Sequence, residues 1–135
     1  IQATRDAYAA AGLNCNPVAF IDDMAGAYAW ADLVVCRAGA MTVAEVAVAG
    51  LAAIFIPFPF AVDDHQTRNA RYLSEAGAAV LVVESDLSAS LLKELIVEFD
   101  QTRQRLVEMA RKAHELAIPD SAERVASLCL EAVRA

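Results

Sequence analysis

The turn at residues 37–42, Arg-Ala-Gly-Ala-Met-Thr, is the first of several segments whose residue types could bind a ligand. Its small residues, above all Gly39, let a ligand approach the backbone, and the N-terminus of the helix that follows can hold phosphate with its unpaired N–H groups. The turn also fits an ordinary strand-to-helix connection, because one glycine makes neither a P-loop nor a dinucleotide-binding fingerprint. Taken alone, the single glycine favours the ordinary connection, and ligand binding is the alternative.

Glu45 lies three residues after Thr42, in the predicted first turn of the same helix. Its carboxylate could accept two hydrogen bonds from a ribose diol, as acidic residues do in other nucleotide-binding folds. The Thr-x-x-Glu pattern is also that of a capping box, in which the glutamate bonds back to the helix start and needs no ligand. Taken in isolation, the pattern favours the capping box.

Residues 63–69 are dense in polar groups just after an apolar run. Gln66 and Asn69 are three residues apart, so a helix would place them on one face, where they could bind sugar hydroxyls. The acidic pair at residues 63–64 suits an N-cap and first-turn charge better than a metal site, because His65 is the one neutral ligand beside it.

A slot for a flat base is predicted at residues 20–24, where Phe20, Ile21 and Met24 stand beside two aspartates at a predicted strand end. Taken in isolation, these apolar side chains are better explained as hydrophobic core. The two aspartates are expected to cap the helix that follows.

Four apolar runs alternate with helical patterns. The strands and helices that they predict would position the candidate ligand-binding segments. The runs are continuous enough to be buried on both faces, which predicts a Rossmann-like α/β fold with a parallel sheet and helices on both faces. The predicted strands are residues 17–21, 32–36, 51–58 and 78–83, and helices follow at 87–99, 101–116 and after 119–121.

Composition narrows the class of protein. The 135 residues suit one domain, and the net charge of -7 without a basic stripe argues against a nucleic-acid partner. Cys15, Cys36 and Cys129 form neither a disulfide framework nor a metal motif, which fits a reducing cytoplasm. No apolar stretch reaches the roughly 18 residues of a membrane span. Ile1 is not a natural start, so we expect the chain to be truncated at its front.

Several linked segments together resemble the C-terminal domain of the MurG family of glycosyltransferases, in order and in spacing. This resemblance implies the GT-B architecture, of two Rossmann-like domains around a cleft, with this chain as most of the C-terminal, nucleotide-sugar-binding one and a helical C-terminal end. The segments are residues 20–24, 29–33, 36–40, 42–45, 49–51, 57–59, 64–70, 75–79 and 118–125.

The resemblance also implies a role for each candidate residue. The backbone of Ile21 would pair with uracil, with Phe20 and Met24 beside the ring, and Glu45 would bind the ribose, which raises that interpretation above the capping box. The remaining substrate-binding positions would contact pyrophosphate and N-acetylglucosamine or line the cleft: Arg37, Gly39, Ala40, Met41, Thr42, His65, Gln66 and Asn69.

The reaction implied is inverting transfer of N-acetylglucosamine from UDP-N-acetylglucosamine to lipid I, giving lipid II for peptidoglycan, without cofactor or metal. The full enzyme would lie peripherally on the cytoplasmic side of the bacterial inner membrane. The base and the acceptor loops would belong to an N-terminal domain, and a Gly-rich phosphate loop would precede Ile1. We therefore expect no catalytic residue and no activity in this chain alone, and marginal stability or aggregation from an exposed sheet edge.

Two departures from the family pattern are Phe60, where a histidine is usual, and Ala52, where a proline is usual. The first bears on sugar or acceptor contacts, and the second on loop rigidity. Two alternatives stay open: a related GT-B enzyme with another sugar nucleotide or lipid acceptor, such as a diacylglycerol galactosyltransferase, and a non-catalytic nucleotide-binding or interaction module.

Overall fold

The computed structural model describes residues 1–134, which fall into two compact units, Ile1–Trp30 and the chain from Ala31 onward. Short 3-10 turns lie at Val62–Asp64 and Glu84–Asp86. None of the helices within residues 1–134 has both the length and the apolar character needed to cross a membrane. The helices and strands, in chain order, are α1 Gln2–Ala10, α2 Met24–Trp30, β1 Leu33–Cys36, α3 Ala40–Ala49, β2 Ala52–Phe55, α4 His65–Ser74, β3 Ala79–Leu81, α5 Ala89–Gln101, α6 Arg103–Glu115 and α7 Ser121–Arg134.

The second unit contains a parallel sheet in the order β1-β2-β3. Leu33 pairs with Ala52, and Ala53 pairs with Ala79, so all three strands run in one direction and end at one edge. This confirms the predicted parallel α/β architecture. We call the edge where the strands end the carboxyl edge; the turns that follow Cys36, Phe55 and Leu81 all begin there.

The core lies on both faces of β2, whose four residues are all buried. Because side chains alternate along a strand, Ala52 and Ile54 face one side, where they pack with Phe99 of α5 and Met109 of α6. Helices α3 and α4 pack against each other, and α4 also packs against β3. Helices thus cover the sheet as the continuous apolar runs predicted.

The strands are shorter than predicted, most clearly β2, which ends at Phe55 rather than at residue 58. The Ile56 N–H still donates to the Cys36 carbonyl at 2.9 Å, but Pro57 and Pro59 have no N–H with which to extend the ladder. The polypeptide therefore leaves the sheet early and enters the β2–α4 loop at the carboxyl edge.

The predicted strand at residues 17–21 is wrong, because no strand is assigned there. A strand needs a neighbouring strand for its backbone hydrogen bonds, and residues 1–30 contain none. The Pro17 carbonyl instead accepts a hydrogen bond from the Arg5 guanidinium at 3.1 Å. The predicted cap of α2 is confirmed, since Asp23 Oδ1 accepts from the Gly26 N–H at 2.8 Å.

Candidate functional site

The N-terminus of α3 opens at the carboxyl edge directly after β1. Gly39 is its N-cap residue, with φ -62° and ψ 148°, and no side chain caps the helix within the described chain. The first helical bond runs from the Val43 N–H to the Gly39 carbonyl at 3.0 Å. The preceding N–H groups, of Ala40, Met41 and Thr42, therefore lie before the helical ladder, where the helix dipole favours an anion.

The backbone at Gly39 has room around it. A Cβ built there would meet, within 4 Å, Thr42 Oγ1 alone, at 3.6 Å, which is an ordinary contact. Thr42 is half-buried and Met41 is 73% exposed. A ligand phosphate could thus approach this backbone more closely than it could approach a residue with a side chain.

Glu45 lies on α3, one turn after Met41 and on the same side of the helix. The predicted capping box is wrong, because α3 begins at Ala40 and Thr42 is already its third helical residue rather than its N-cap. Glu45 is therefore in the second turn, with an exposed side chain. The ribose role implied by the resemblance stays a prediction.

Arg37 joins the ends of the three strands at the carboxyl edge. Its Nη1 donates to the carbonyls of Ile56 at 3.3 Å and Pro57 at 3.1 Å, and it forms an ion pair with Glu84, which follows β3. The guanidinium also lies over the Phe58 ring, 5.6 Å from its centroid. Arg37 thus lies at the carboxyl edge and bonds to residues that follow β2 and β3, while its implied role of lining a cleft stays a prediction.

Two amide side chains of α4 hold the turns on either side of them. Gln66 Oε1 accepts from the Phe58 N–H at 2.9 Å, and Asn69 Nδ2 donates to the Ala38 carbonyl at 3.1 Å. Both residues were predicted to face a sugar. The structure brings Asn69 beside the turn at residues 37–42 and Gln66 beside the β2–α4 loop, with one end of each amide bonded to backbone.

A shallow cavity of about 190 Å³ lies between α3 and α4. Ligand pockets usually measure roughly 300–1,000 Å³, so this cavity is too small for a nucleotide sugar. It can supply one apolar flank of a larger open site at the carboxyl edge. Its lining residues are Ala40, Val43, Ala44, Asn69 and Tyr72.

The acidic pair Asp63 and Asp64 lies at the N-terminal end of α4. Asp64 is the N-cap residue, and its Oδ1 accepts from the Thr67 hydroxyl at 2.6 Å. Both aspartates have left-handed backbone, with φ 53° at Asp63 and 52° at Asp64. His65 follows as the first, exposed residue of α4. Among the described residues, no group of three or more His, Cys, Asp and Glu side chains could hold a metal ion.

The predicted base-binding residues lie in the first unit, whereas those from Arg37 to Asn69 lie in the second. Phe20 is 76% exposed, and Ile21 and Met24 are also exposed. Within its own unit this apolar segment is therefore open to a ligand. The base-binding role of these three residues stays a prediction.

Glu84 and Phe58 are parts of the site that the residue patterns missed. Both follow strands that end at the carboxyl edge, so the rule that singled out residues 37–42 could have included them. Each contacts Arg37, from a position distant in sequence. The contacts of Glu84 and Phe58 with Arg37 depend on strand register, and residue types alone do not specify that register.

Comparisons with known proteins identify the family to which the chain is similar. Residues 2–125 match the glycosyltransferase family 28 C-terminal domain. The chain is 56% identical to the UDP-N-acetylglucosamine--N-acetylmuramyl-(pentapeptide) pyrophosphoryl-undecaprenol N-acetylglucosamine transferase of Ralstonia nicotianae, covering 100% of this chain and 37% of that protein. It is 51% identical to the enzyme of the same name from Marinobacter nauticus, covering 98% and 36%.

The fold agrees with a solved structure. The crystal structure of Acinetobacter baumannii MurG superposes with a TM-score of 0.89 at 46% identity, covering 97% of this chain and 38% of that one. The chain thus spans a little over a third of the length of these relatives. The match over residues 2–125 is decisive: the chain belongs to the glycosyltransferase family 28 C-terminal domain family.

Proposed function

We propose that this chain is the UDP-N-acetylglucosamine-binding part of an inverting glycosyltransferase, one that transfers N-acetylglucosamine to lipid I and forms lipid II. One observation carries the proposal: relatives named for this transfer are 51–56% identical to the chain over 98–100% of its length. The open, uncapped N-terminus of α3 supports it, because a sugar nucleotide brings two phosphates to the protein.

The proposed contribution of α3 is to bind the departing UDP. In an inverting transfer, the acceptor hydroxyl attacks the sugar C1 while the bond from C1 to the UDP oxygen breaks. Negative charge develops on the pyrophosphate, and fixed N–H groups of Ala40 and Met41 would stabilise it without reorganisation. The Thr42 hydroxyl and Gly39 backbone complete this phosphate side.

We assign the sugar and the nucleoside of the donor to other residues of the chain. Gln66 and Asn69 each use one amide atom on the protein, which leaves Gln66 Nε2 and Asn69 Oδ1 to face sugar hydroxyls, with His65 beside them. Glu45 would accept from the ribose diol. Phe20, Ile21 and Met24 would hold the uracil.

The acceptor side is assigned outside this chain. The relatives are nearly three times as long, since the chain covers 36–37% of them. We place the general base and the lipid I site in the part of such a protein that this chain does not cover. A lipid acceptor requires contact with a membrane, which we propose is peripheral and on the cytoplasmic side of the bacterial inner membrane.

Calorimetric titration of the purified chain with UDP-N-acetylglucosamine tests the proposal, with UDP-galactose as the competing donor. Hydrogen bonds to a charged group contribute about 1.5–3 kcal/mol, so Glu45→Ala should weaken binding about 10- to 100-fold. Glu75→Ala is the matched control. Glu75 is also an exposed glutamate, but it lies just after the C-terminal end of α4, the end away from His65.

Selective binding of UDP-N-acetylglucosamine that survives Glu75→Ala and is lost in Glu45→Ala is the expected result. A chain that circular dichroism shows to be folded, yet that binds neither donor, would contradict the proposal. Equal weakening by the two variants would remove the ribose role of Glu45.

A donor with a different sugar is the second candidate, favoured by one observation. Phe60 stands where the resemblance to the family implies a histidine, and the residue is 83% exposed in the β2–α4 loop. The phenyl ring of Phe60 has no N–H or O–H group, so it cannot donate a hydrogen bond to a sugar hydroxyl as an imidazole can. Tighter binding of UDP-galactose than of UDP-N-acetylglucosamine would favour this candidate.

A further inference from the structure

A closed ring of contacts connects the phosphate side of the site with its sugar side. Arg37 bonds to the Pro57 carbonyl, the next residue Phe58 bonds through its N–H to Gln66, and Asn69 of the same helix bonds back to Ala38. Ala38 directly follows Arg37, which closes the ring. Moving any member therefore changes the distance between the α3 N-terminus and the amides of α4.

Glu84 holds the Arg37 guanidinium in this ring. The ion pair joins groups whose side chains are 49% and 37% exposed, while the guanidinium carbon also lies 5.6 Å from the centroid of the Phe58 ring. The Nη1 atom contacts two backbone carbonyls as well. An arginine that binds phosphate uses its fork of N–H donors on the ligand, whereas here Nη1 is used on the protein and the charge is balanced by a carboxylate.

We propose that Arg37 and Glu84 are positioning residues that set sugar selectivity, by fixing Phe58 and hence Gln66 relative to the backbone at Gly39. The proposal rests on the proposed function, since the selected sugar is that of the UDP donor. Arg37 acts through Gln66 and Asn69 rather than by touching the pyrophosphate. Glu84 keeps the guanidinium directed at the protein.

The test compares sugar selectivity, defined as the Kd for UDP-galactose divided by the Kd for UDP-N-acetylglucosamine, in Glu84→Gln and Arg37→Lys. Selectivity should fall about 5-fold or more, which is the effect of one misplaced hydrogen bond. The Kd for UDP should stay within about twofold, because the α3 N–H groups are unchanged. This ratio does not depend on the folded fraction, so partial unfolding cannot imitate the result.

Glu115→Gln is the matched control, because it removes another exposed arginine ion pair, with Arg111 on α6, and should leave all three affinities unchanged. Tighter UDP binding in Glu84→Gln would overturn the proposal, since it would mean that a freed Arg37 binds phosphate. Equal loss for both donors would overturn it too. A wild-type chain that lacks any preference between the donors would instead contradict the proposed function, and this inference with it.

Discussion

Two glycines of the same helix should separate ligand binding from stability. Gly39 is the N-cap residue of α3 and has φ -62°, which any residue can adopt, whereas Gly50 is its C-cap residue and has φ 60°, in the left-handed region. A Cβ at Gly39 would lie 3.6 Å from Thr42 Oγ1, while one at Gly50 would lie 3.3 Å from His114 Cβ. The structure thus tolerates alanine at Gly39 and resists it at Gly50.

The expected magnitudes follow from these geometries. In Gly39→Ala, the loss of unfolded-chain entropy stabilises by about 0.4–1 kcal/mol and the poorer N-cap costs a similar amount, so the free energy of unfolding should change by less than about 0.5 kcal/mol. In Gly50→Ala, left-handed backbone should cost about 1–2 kcal/mol. The added methyl at Gly39 should weaken UDP-N-acetylglucosamine binding about tenfold or more, because it occupies the approach to the backbone.

Urea denaturation and calorimetric titration of both variants measure the two effects separately. Gly39→Ala should lose affinity at unchanged stability, and Gly50→Ala should lose stability at unchanged affinity once binding is measured on folded protein. Unchanged UDP-N-acetylglucosamine affinity in Gly39→Ala would refute the close approach of the phosphates to this turn. A stable Gly50→Ala would refute the steric reasoning.

Three further predictions concern the core and the thiols. Phe99, 1% exposed, packs in the cluster with Ile54 and Met109, so Phe99→Ala should lower the free energy of unfolding by about 3–5 kcal/mol in urea denaturation; a loss below about 1 kcal/mol would contradict this packing. Burial raises the pKa of the Cys36 thiol from 9.0 to about 11, so at pH 8 Ellman's reagent should modify the exposed Cys15 and Cys129 first, and equal rates at all three would contradict it. Because the unfolded thiol ionises first, this group's contribution to stability should be lost between pH 9 and about pH 11, and Cys36→Ala should remove that part of the pH dependence.

The sheet of the second unit could be predicted because burial on both faces leaves a clear record in residue type. The apolar run at residues 32–36 became β1, Leu33–Cys36, almost unchanged. The run at residues 17–21 has a similar apolar composition. A strand forms only by pairing with another strand, and the first unit contains no other strand. That run is also exposed, at Val18, Phe20 and Ile21, so its apolar residue types led neither to burial nor to strand pairing.

The placement of the candidate residues could be predicted where it depends on the edge rule, and it was missed where it depends on tertiary register. Gly39 and Asn69 fell at the carboxyl edge because parallel strands end together. The Thr42 and Glu45 spacing fits a capping box at any helix start, so it could not reveal that α3 begins at Ala40. The pairing of Arg37 with Glu84 spans 47 residues and follows from how β1 and β3 flank β2.

The most direct test of the central claim is a titration of the ¹⁵N-labelled chain with UDP-N-acetylglucosamine, followed by the amide resonances. The account predicts that the largest shifts occur at Ala40, Met41 and Thr42, whose N–H groups precede the helical ladder of α3. Amides of Leu106 and Met109, in the core on α6, should stay unchanged. Shifts on α6 with none at residues 40–42 would show that the nucleotide sugar does not bind at the carboxyl edge.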